Sequence, residues 1–253
     1  MRAWGITDIG LKRQENQDTY AFEVFGSPDT VVAVVCDGMG GANGGRLASS
    51  LAVSTFMEEL HERAHREMTA EQVCEMESQC VERANHAIYA RAREDEAYHG
   101  MGTTLVAAIA SPDTAVVCNV GDSRAYHINA DGIRRVTRDH SVVETLIEAG
   151  NITPEEARTH PNRNLITRAL GPDDSIECDC FTLPLSEGDC LLLCSDGLIV
   201  TVEDAEMLSI IRAEADGARA LDRLLELSKR RGAPDNVTAV LICNERGAER
   251  QDG

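Results

Sequence analysis

Eight short apolar runs, rich in Val, Ile and Leu, break up this chain, and their order restricts its fold more than any other feature. They fall at Arg2–Ile9, Val31–Cys36, Thr104–Ala110, Ala115–Val120, Arg124–Ile128, Ile176–Thr182, Asp189–Cys194 and Val237–Cys243, each with the length and composition of a strand. Between them lie segments with helical spacing, Ala48, Leu51, Ala52, Phe56 and Leu60 in one and Val73, Met76, Cys80, Ala84, Ala87 and Ile88 in the next. The second follows a Thr69…Gln72 capping box. Ser141…Glu144 and Thr153…Glu156 are two more, the latter with Pro154 at the first helical position. Strands therefore come in hairpin-rich blocks separated by pairs of helices. A parallel sheet would need single strands alternating with single helices. The order predicts an α+β fold in which one sheet packs on another and the helices lie outside. No linker, repeat or low-complexity stretch interrupts it, so residues 1–245 read as a single domain and 246–253 as a polar, frayed tail.

Composition narrows the partners. Of 253 residues, 24 are Lys or Arg and 43 are Asp or Glu, a net charge of −19. Charge of this sign repels nucleic acid phosphates and anionic lipid, so neither is expected as a partner. The hydrophobic fraction of 43% is enough for a core. No apolar run approaches the ~18–20 residues of a membrane span, and Met1-Arg-Ala-Trp-Gly lacks the apolar block of a signal peptide. A cytoplasmic location is the expectation. Nine cysteines include no C-x-x-C pair. Cys36, Cys118, Cys190, Cys194 and Cys243 sit in apolar runs, so most of the nine are expected as reduced core thiols.

The chemistry is carried by where the aspartates fall. Asp37 follows Val31–Cys36 and precedes Gly38-Met39-Gly40-Gly41; Asp122 stands in Gly121-Asp122-Ser123; Asp196 in Ser195-Asp196-Gly197; Asp235 precedes the last run; Asp18 closes Asn16-Gln17-Asp18. One Asp–Gly corner is an ordinary turn. Five, each against an apolar strand, gather carboxylates at a sheet edge, where they repel unless cations sit between them. An all-oxygen site suits Mg²⁺ or Mn²⁺ rather than zinc, and the Gly38 carbonyl could add a ligand.

Taken in order, Arg13…Asn16-Gln17-Asp18, Cys36-Asp37-Gly38-Met39-Gly40-Gly41, Gly102-Thr103-Thr104, Val120-Gly121-Asp122-Ser123-Arg124, Thr137-Arg138-Asp139-His140-Ser141, Cys194-Ser195-Asp196-Gly197-Leu198 and Asp235-Asn236-Val237-Thr238 resemble the metal-dependent Ser/Thr protein phosphatases of type 2C. Any one motif is weak evidence; seven in the family's order are specific. The segment from Ile147-Glu148-Ala149-Gly150 to Thr167-Arg168-Ala169-Leu170-Gly171 looks like the flap of the bacterial branch, set at about 140–168. The resemblance implies a four-layer αββα sandwich, two antiparallel sheets face to face and flanked by helices. It implies hydrolysis of phosphoserine and phosphothreonine on proteins by a monomer that opposes Ser/Thr kinases in the cytoplasm. Two core Mn²⁺ or Mg²⁺ ions and a third are implied. Asp37 would bridge the first two, with the Gly38 carbonyl on one and Asp196 and Asp235 on the other. Asp122 would hold the third with Asp196, Asp18 would orient water, and Arg13 would clamp the phosphate.

The residues support that chemistry on their own terms. Two close cations lower the pKa of a bridging water, so a hydroxide attacks phosphorus directly. They also cancel repulsion between a dianionic phosphate and an acidic protein. Arg13 offers a planar fork matched to phosphate oxygens. Two positions depart from the family: Gln17 stands where many relatives are acidic, and Met39 where animal members carry a histidine proposed as general acid. His160 is the remaining candidate for that proton, while His140 reads as structural. Two rivals stand beside this reading. One is a catalytically silent relative that only binds phosphoproteins. The other is a cysteine-dependent phosphatase, since Cys118-Asn119-Val120-Gly121-Asp122-Ser123-Arg124 spells C-x-x-G-x-x-R. Against the second, a strand and not a helix follows Arg124, and Asp122 would place negative charge inside an anion cradle.

Overall fold

The computed structural model describes residues 1–25, 29–64 and 68–245; the tail expected at 246–253 lies outside them. The chain runs β1 (Arg2–Asp8), β2 (Asp18–Val24), β3 (Val31–Met39), α1 (Gly41–Arg63), α2 (Ala70–Glu94), β4 (Gly102–Thr103), β5 (Leu105–Ala110), β6 (Thr114–Val120), β7 (Arg124–Asn129) and β8 (Gly132–Arg135). It continues through α3 (Val142–Glu148), α4 (Pro154–Ala157), β9 (Asp179–Pro184), β10 (Cys190–Cys194), α5 (Asp196–Ile199), α6 (Asp204–Ala213), α7 (Gly217–Arg230) and β11 (Val237–Cys243). One sheet has the order β1-β11-β10-β7-β8, the other β2-β3-β5-β6-β9, with β4 pairing β3.

The pairings described are all antiparallel. The two sheets pack face to face, with α1 and α2 against one and α5, α6 and α7 against the other. Alternation along the central strands feeds three apolar layers. In β3, Val32, Val34 and Cys36 face α1 and α2, while Val31, Ala33 and Val35 face the other sheet. In β11, Ala239, Leu241 and Cys243 face the helices, and Val240 and Ile242 the partner sheet. With both faces buried, a strand has no place for polar alternation, which is why these runs read as continuously apolar. The expected αββα sandwich is the fold observed.

The differences are at the edges. β2 and β8 are edge strands, half-exposed and carrying Glu23 or Arg134 and Arg135, so the apolar signature is diluted in both. The run begun at Ile176 joins the ladder only at Asp179, which pairs with Asn119. The Thr69–Gln72 and Thr153–Glu156 capping boxes form as read, with Pro154 at the helix start. The Ser141 box is half made: Ser141 accepts from the Glu144 backbone, but the Glu144 carboxylate turns to Arg135, because an arginine offers a stronger partner than a backbone amide. The cysteines need a correction. Cys190 and Cys243, expected as free thiols, are directly opposed in β10 and β11 and form a disulfide; Cys74 and Cys180 join α2 to β9 in another. Cross-strand register, invisible in linear spacing, brings Cys190 and Cys243 together. Cys36, Cys80, Cys118, Cys178 and Cys194 remain free.

Candidate metal centre

The five aspartates converge on one edge of the sandwich. Asp18 opens β2 and stands directly opposite Asp37 in the ladder. Asp37 lies within its strand rather than after it, because β3 runs on to Met39 by pairing Gly38 and Met39 with β4. Asp122 sits in the turn between β6 and β7, Asp196 opens α5 directly after β10, and Asp235 precedes β11. Asp37, Asp122, Asp196 and Asp235 line an open cavity of about 760 Å³, together with Arg13, Gly38 and, from the flap, Asn164 and Ile166. Asp18 is 7% exposed and lies behind this wall.

Neighbouring residues fix these positions, and their roles could not be read from spacing. The Asp37 amide donates to the Thr104 hydroxyl at 3.0 Å, and the Asp37 carbonyl accepts from the Thr103 hydroxyl and the Thr104 amide, both at 2.9 Å. The Thr104 hydroxyl also meets that of Ser123 at 2.7 Å, tying Asp37 to the Asp122 turn. Asn236 binds the loop that carries Arg13: its side-chain amide donates to the Ile9 and Glu15 carbonyls, and its Oδ1 accepts from the Gln17 amide. Backbones approach too closely at two points for any side chain. A Cβ on Gly38 would lie 2.0 Å from the Gly45 carbonyl oxygen, and one on Gly197 would lie 1.9 Å from that of Asn236.

Burial and mutual repulsion dominate the electrostatics. Burial, then the charges of Asp18, Asp196, Asp122 and Asp235, raises the Asp37 carboxyl well above the carboxylate range. Burial likewise pushes Asp18 up to about 7, against hydrogen bonds from Ser195 and Thr238. Asp122 is pushed up to about 7 by burial and the charge of Asp196, and Asp196 to about 6 by burial and Asp235. Asp18 Oδ1 and Asp196 Oδ1 are buried without a hydrogen-bond partner. A carboxyl short of donors and lining a cavity accessible to water, as Asp196 is, fits a hard divalent cation, which takes oxygen ligands and keeps several waters. Among the described residues, no three His, Cys, Asp or Glu side chains form a ready-made cage. Arg13 takes up part of the charge instead, donating to Asp235 Oδ2 at 2.6 Å.

Other residues singled out in the sequence fall as follows. Gln17 lines the cavity and its amide donates to the Gly41 carbonyl at 3.1 Å. Met39 also lines it. His160 does not: its Nδ1 accepts from the Asn162 amide in an exposed flap turn, so local turn formation rather than the cavity holds it. Cys118 is fully buried in β6, pairs across the sheet with Cys180, and has its thiol pushed up by burial and by Glu77. A thiol so placed is neither ionised nor open to a phosphate.

Known proteins agree with this fold. Residues 12–241 match the model of the family described as Protein phosphatase 2C, and the chain belongs to that family. It is 37% identical over 243 residues to the serine/threonine phosphatase Stp of Listeria innocua, covering 96% of this chain and 95% of that one. A crystal structure of a bacterial serine phosphatase superposes with a TM-score of 0.90 at 36% identity, covering 98% of this chain and 99% of that one. The catalytic domain of the serine/threonine protein phosphatase PstP, solved with two manganese ions, gives 0.82 at 32% identity over 95% and 96% of the two chains. The protein is thus an enzyme, a protein phosphatase.

Proposed function

We propose that this chain hydrolyses phosphoserine and phosphothreonine on proteins, using Mn²⁺ or Mg²⁺ held by the aspartate edge. The carrying observation is the convergence of four aspartates, Asp37, Asp122, Asp196 and Asp235, on one open cavity, with an orphaned oxygen on Asp196. The two manganese ions of the related phosphatase and the name of the Listeria relative support the reading. Asp37, the Gly38 carbonyl, Asp196 and Asp235 would hold two ions, and Asp122 with Asp196 a third. Bound there, such ions lower the pKa of water and neutralise a phosphate dianion. Asp18, behind the wall, orients water while its Oδ2 accepts from the Ser195 hydroxyl at 2.7 Å. Arg13 leaves Asp235 and turns its guanidinium to the phosphate oxygens. With Cys118 buried, no thiol lines the cavity among the described residues, and water is the nucleophile. No histidine lines the cavity among the described residues, so solvent admitted through its mouth supplies the leaving-group proton.

Residues 1–245 form one catalytic domain with the flap at about 140–168, working as a cytoplasmic monomer on substrates of Ser/Thr kinases. No helix among the described residues is long and apolar enough to cross a membrane. The test is release of phosphate from phosphoserine and phosphothreonine peptides. We expect turnover with Mn²⁺ or Mg²⁺, none in EDTA, and recovery on adding metal back. Turnover that persists in excess EDTA would overturn the metal role, and binding of phosphopeptides without turnover would favour the silent relative. Cys118→Ser should keep its turnover per folded molecule, whereas a cysteine mechanism would leave it dead.

A further inference from the structure

His140 lies outside the cavity wall and has no part in the chemistry above, yet it makes more ordered contacts than packing requires. It is 7% exposed. Its Nδ1 accepts from the Gly121 amide at 3.0 Å, and its own amide donates to the Gly121 carbonyl at 2.9 Å. Gly121, at a φ of 104°, is the residue before Asp122. Both backbone polar groups of Gly121 are therefore held by one residue. With Nδ1 accepting, Nε2 faces Asp179 Oδ2 at 3.3 Å and Arg168 Nη1 at 3.1 Å. Arg168 stands beside the pair, its Nη1 2.9 Å from Asp179 Oδ1. Burial lowers the His140 pKa, in keeping with a neutral ring in this role.

The same residue roots the flap. The His140 carbonyl accepts from the Thr167 amide at 2.8 Å, and the Val142 amide donates to the Leu165 carbonyl at 2.9 Å. Ser141 and Ile166 form a bridge between them. These contacts deliver Asn164 and Ile166 to the cavity. A continuous set of hydrogen bonds thus runs from the Asp122 turn through His140 to the flap strand over the site.

We propose that His140 is a positioning residue: it clamps the Asp122 turn to the root of the flap, so that an ion at Asp122 and the placement of the flap over the cavity are coupled. Partners of this kind, one bond removed from a metal ligand, set its orientation and typically change affinity ~10–100-fold when lost. Coupling of binding is reciprocal: whatever the ion does to the flap, fixing the flap does to ion affinity. The inference rests on the reading that Asp122 holds the third ion.

Two substitutions separate the two ends of the ring. Asn places an acceptor near the position of Nδ1 and loses the reach of Nε2; Gln keeps the reach and loses the acceptor. The experiment is Mn²⁺ titration calorimetry on His140→Asn, His140→Gln, His140→Ala and Asp122→Ala. Amide hydrogen exchange over residues 160–168 is followed with and without Mn²⁺. In the wild type we expect a weakest Mn²⁺ site that Asp122→Ala abolishes, and slower exchange in the flap when it fills. His140→Ala should weaken that site ~10–100-fold and lose the flap protection, leaving the two tighter sites unchanged. His140→Asn should stay within about threefold of wild type in affinity, and His140→Gln should resemble His140→Ala. A folded His140→Ala protein with wild-type affinity at the weakest site and wild-type flap protection overturns the proposal. If that variant does not fold, equal affinities for the Asn and Gln variants overturn it. A wild type with only two sites, indifferent to Asp122→Ala, overturns the third-ion reading itself, and this inference with it.

Discussion

Two groups of buried carboxylates stand a few residues apart in this sandwich, and the chain treats them in opposite ways. Asp139 and Glu144 are each 8% exposed. Arg124 donates three hydrogen bonds to Asp139, at 2.6–3.0 Å. Arg135 reaches both Asp139, at 3.5 Å, and Glu144. Burial alone would lower the Arg124 pKa, but the hydrogen bonds and charge of Asp139 hold it above its usual range. Two residues before Arg124, Asp122 belongs to a group with almost no basic partner of its own. Among the described residues Arg13 alone pairs there, and with Asp235 only. A chain that supplies two arginines to one buried cluster and leaves its neighbour short keeps the second for a charge that comes from solution. On the proposed function, the comparison distinguishes carboxylates that hold the fold from carboxylates that would hold an ion.

The largest effects break the comparison most directly. Asp37→Asn should lower turnover by more than the ~100-fold that loss of a mere outer partner costs, while the protein in EDTA unfolds at the same or a higher temperature, since a repelling charge has gone. The pH dependence follows with a definite sign. Asp18, Asp122 and Asp196 have folded pKa values of about 7, 7 and 6, above their ordinary 3.8. Their contribution to stability is fully present below pH ~4 and is lost as the pH rises through 6 to 7. Denaturation in EDTA should therefore show stability falling across that range, and saturating Mn²⁺ should cancel most of the fall. A flat profile without metal would mean that these carboxyls are solvated.

Asp139→Asn should do the converse. It leaves Arg124 buried without its partner and should cost about 3–5 kcal/mol of stability, measured in denaturant at pH 7 with EDTA, with no change in the tight binding of Mn²⁺. If Asp139→Asn is as stable as wild type but loses metal, the two groups are one site and the distinction fails.

These two groups also mark how far the sequence could be read. The site aspartates stood out because each abuts an apolar run, and such a corner is a local pattern. Val237–Cys243 was read with its observed bounds because both faces of β11 are buried. The arginine-held group left no such mark: Arg124, Asp139 and Glu144 meet only through folding, and the Ser141…Glu144 spacing even suggested a different partner for Glu144. Cys190 and Cys243 escaped for the same reason, as did β2 and β8, whose exposed edges dilute the strand pattern. Asp37 reads as lying after its strand because the apolar run ends at Cys36, although pairing with β4 continues the ladder to Met39. His160 shared the flap with cavity residues in sequence but not in space.

Arg13 sharpens the comparison from inside the site. Arg13→Ala should lower kcat/KM for a phosphopeptide about ten- to a hundredfold, the ~1.5–3 kcal/mol of a lost charge-assisted contact. Mn²⁺ affinity should rise rather than fall, because the guanidinium now on Asp235 Oδ2 competes for that oxygen. Calorimetry that found weaker Mn²⁺ binding would make Arg13 a support of the metal ligands instead of a stand-in for the ion.

Glu77 gives the smallest effect and the strictest test, because it looks like a site residue by one criterion and not by the others. It is 0% exposed, and both carboxyl oxygens lack a hydrogen-bond partner. Burial alone raises its pKa well above the usual value. Unlike Asp37, it lines neither of the protein's two described cavities and sits on the buried face of α2 near Cys80 and Cys118. An orphaned carboxyl without access for an ion should simply stay protonated. Glu77→Gln keeps the shape and a buried polar group but removes the ionisation. The variant should match wild type below the ordinary Glu pKa and gain stability relative to it as the pH rises toward the raised pKa of Glu77. Mn²⁺ affinity and turnover should not move. If Glu77→Gln weakened Mn²⁺ binding, missing partners alone would have identified a ligand, and access from the cavity would no longer be part of the distinction.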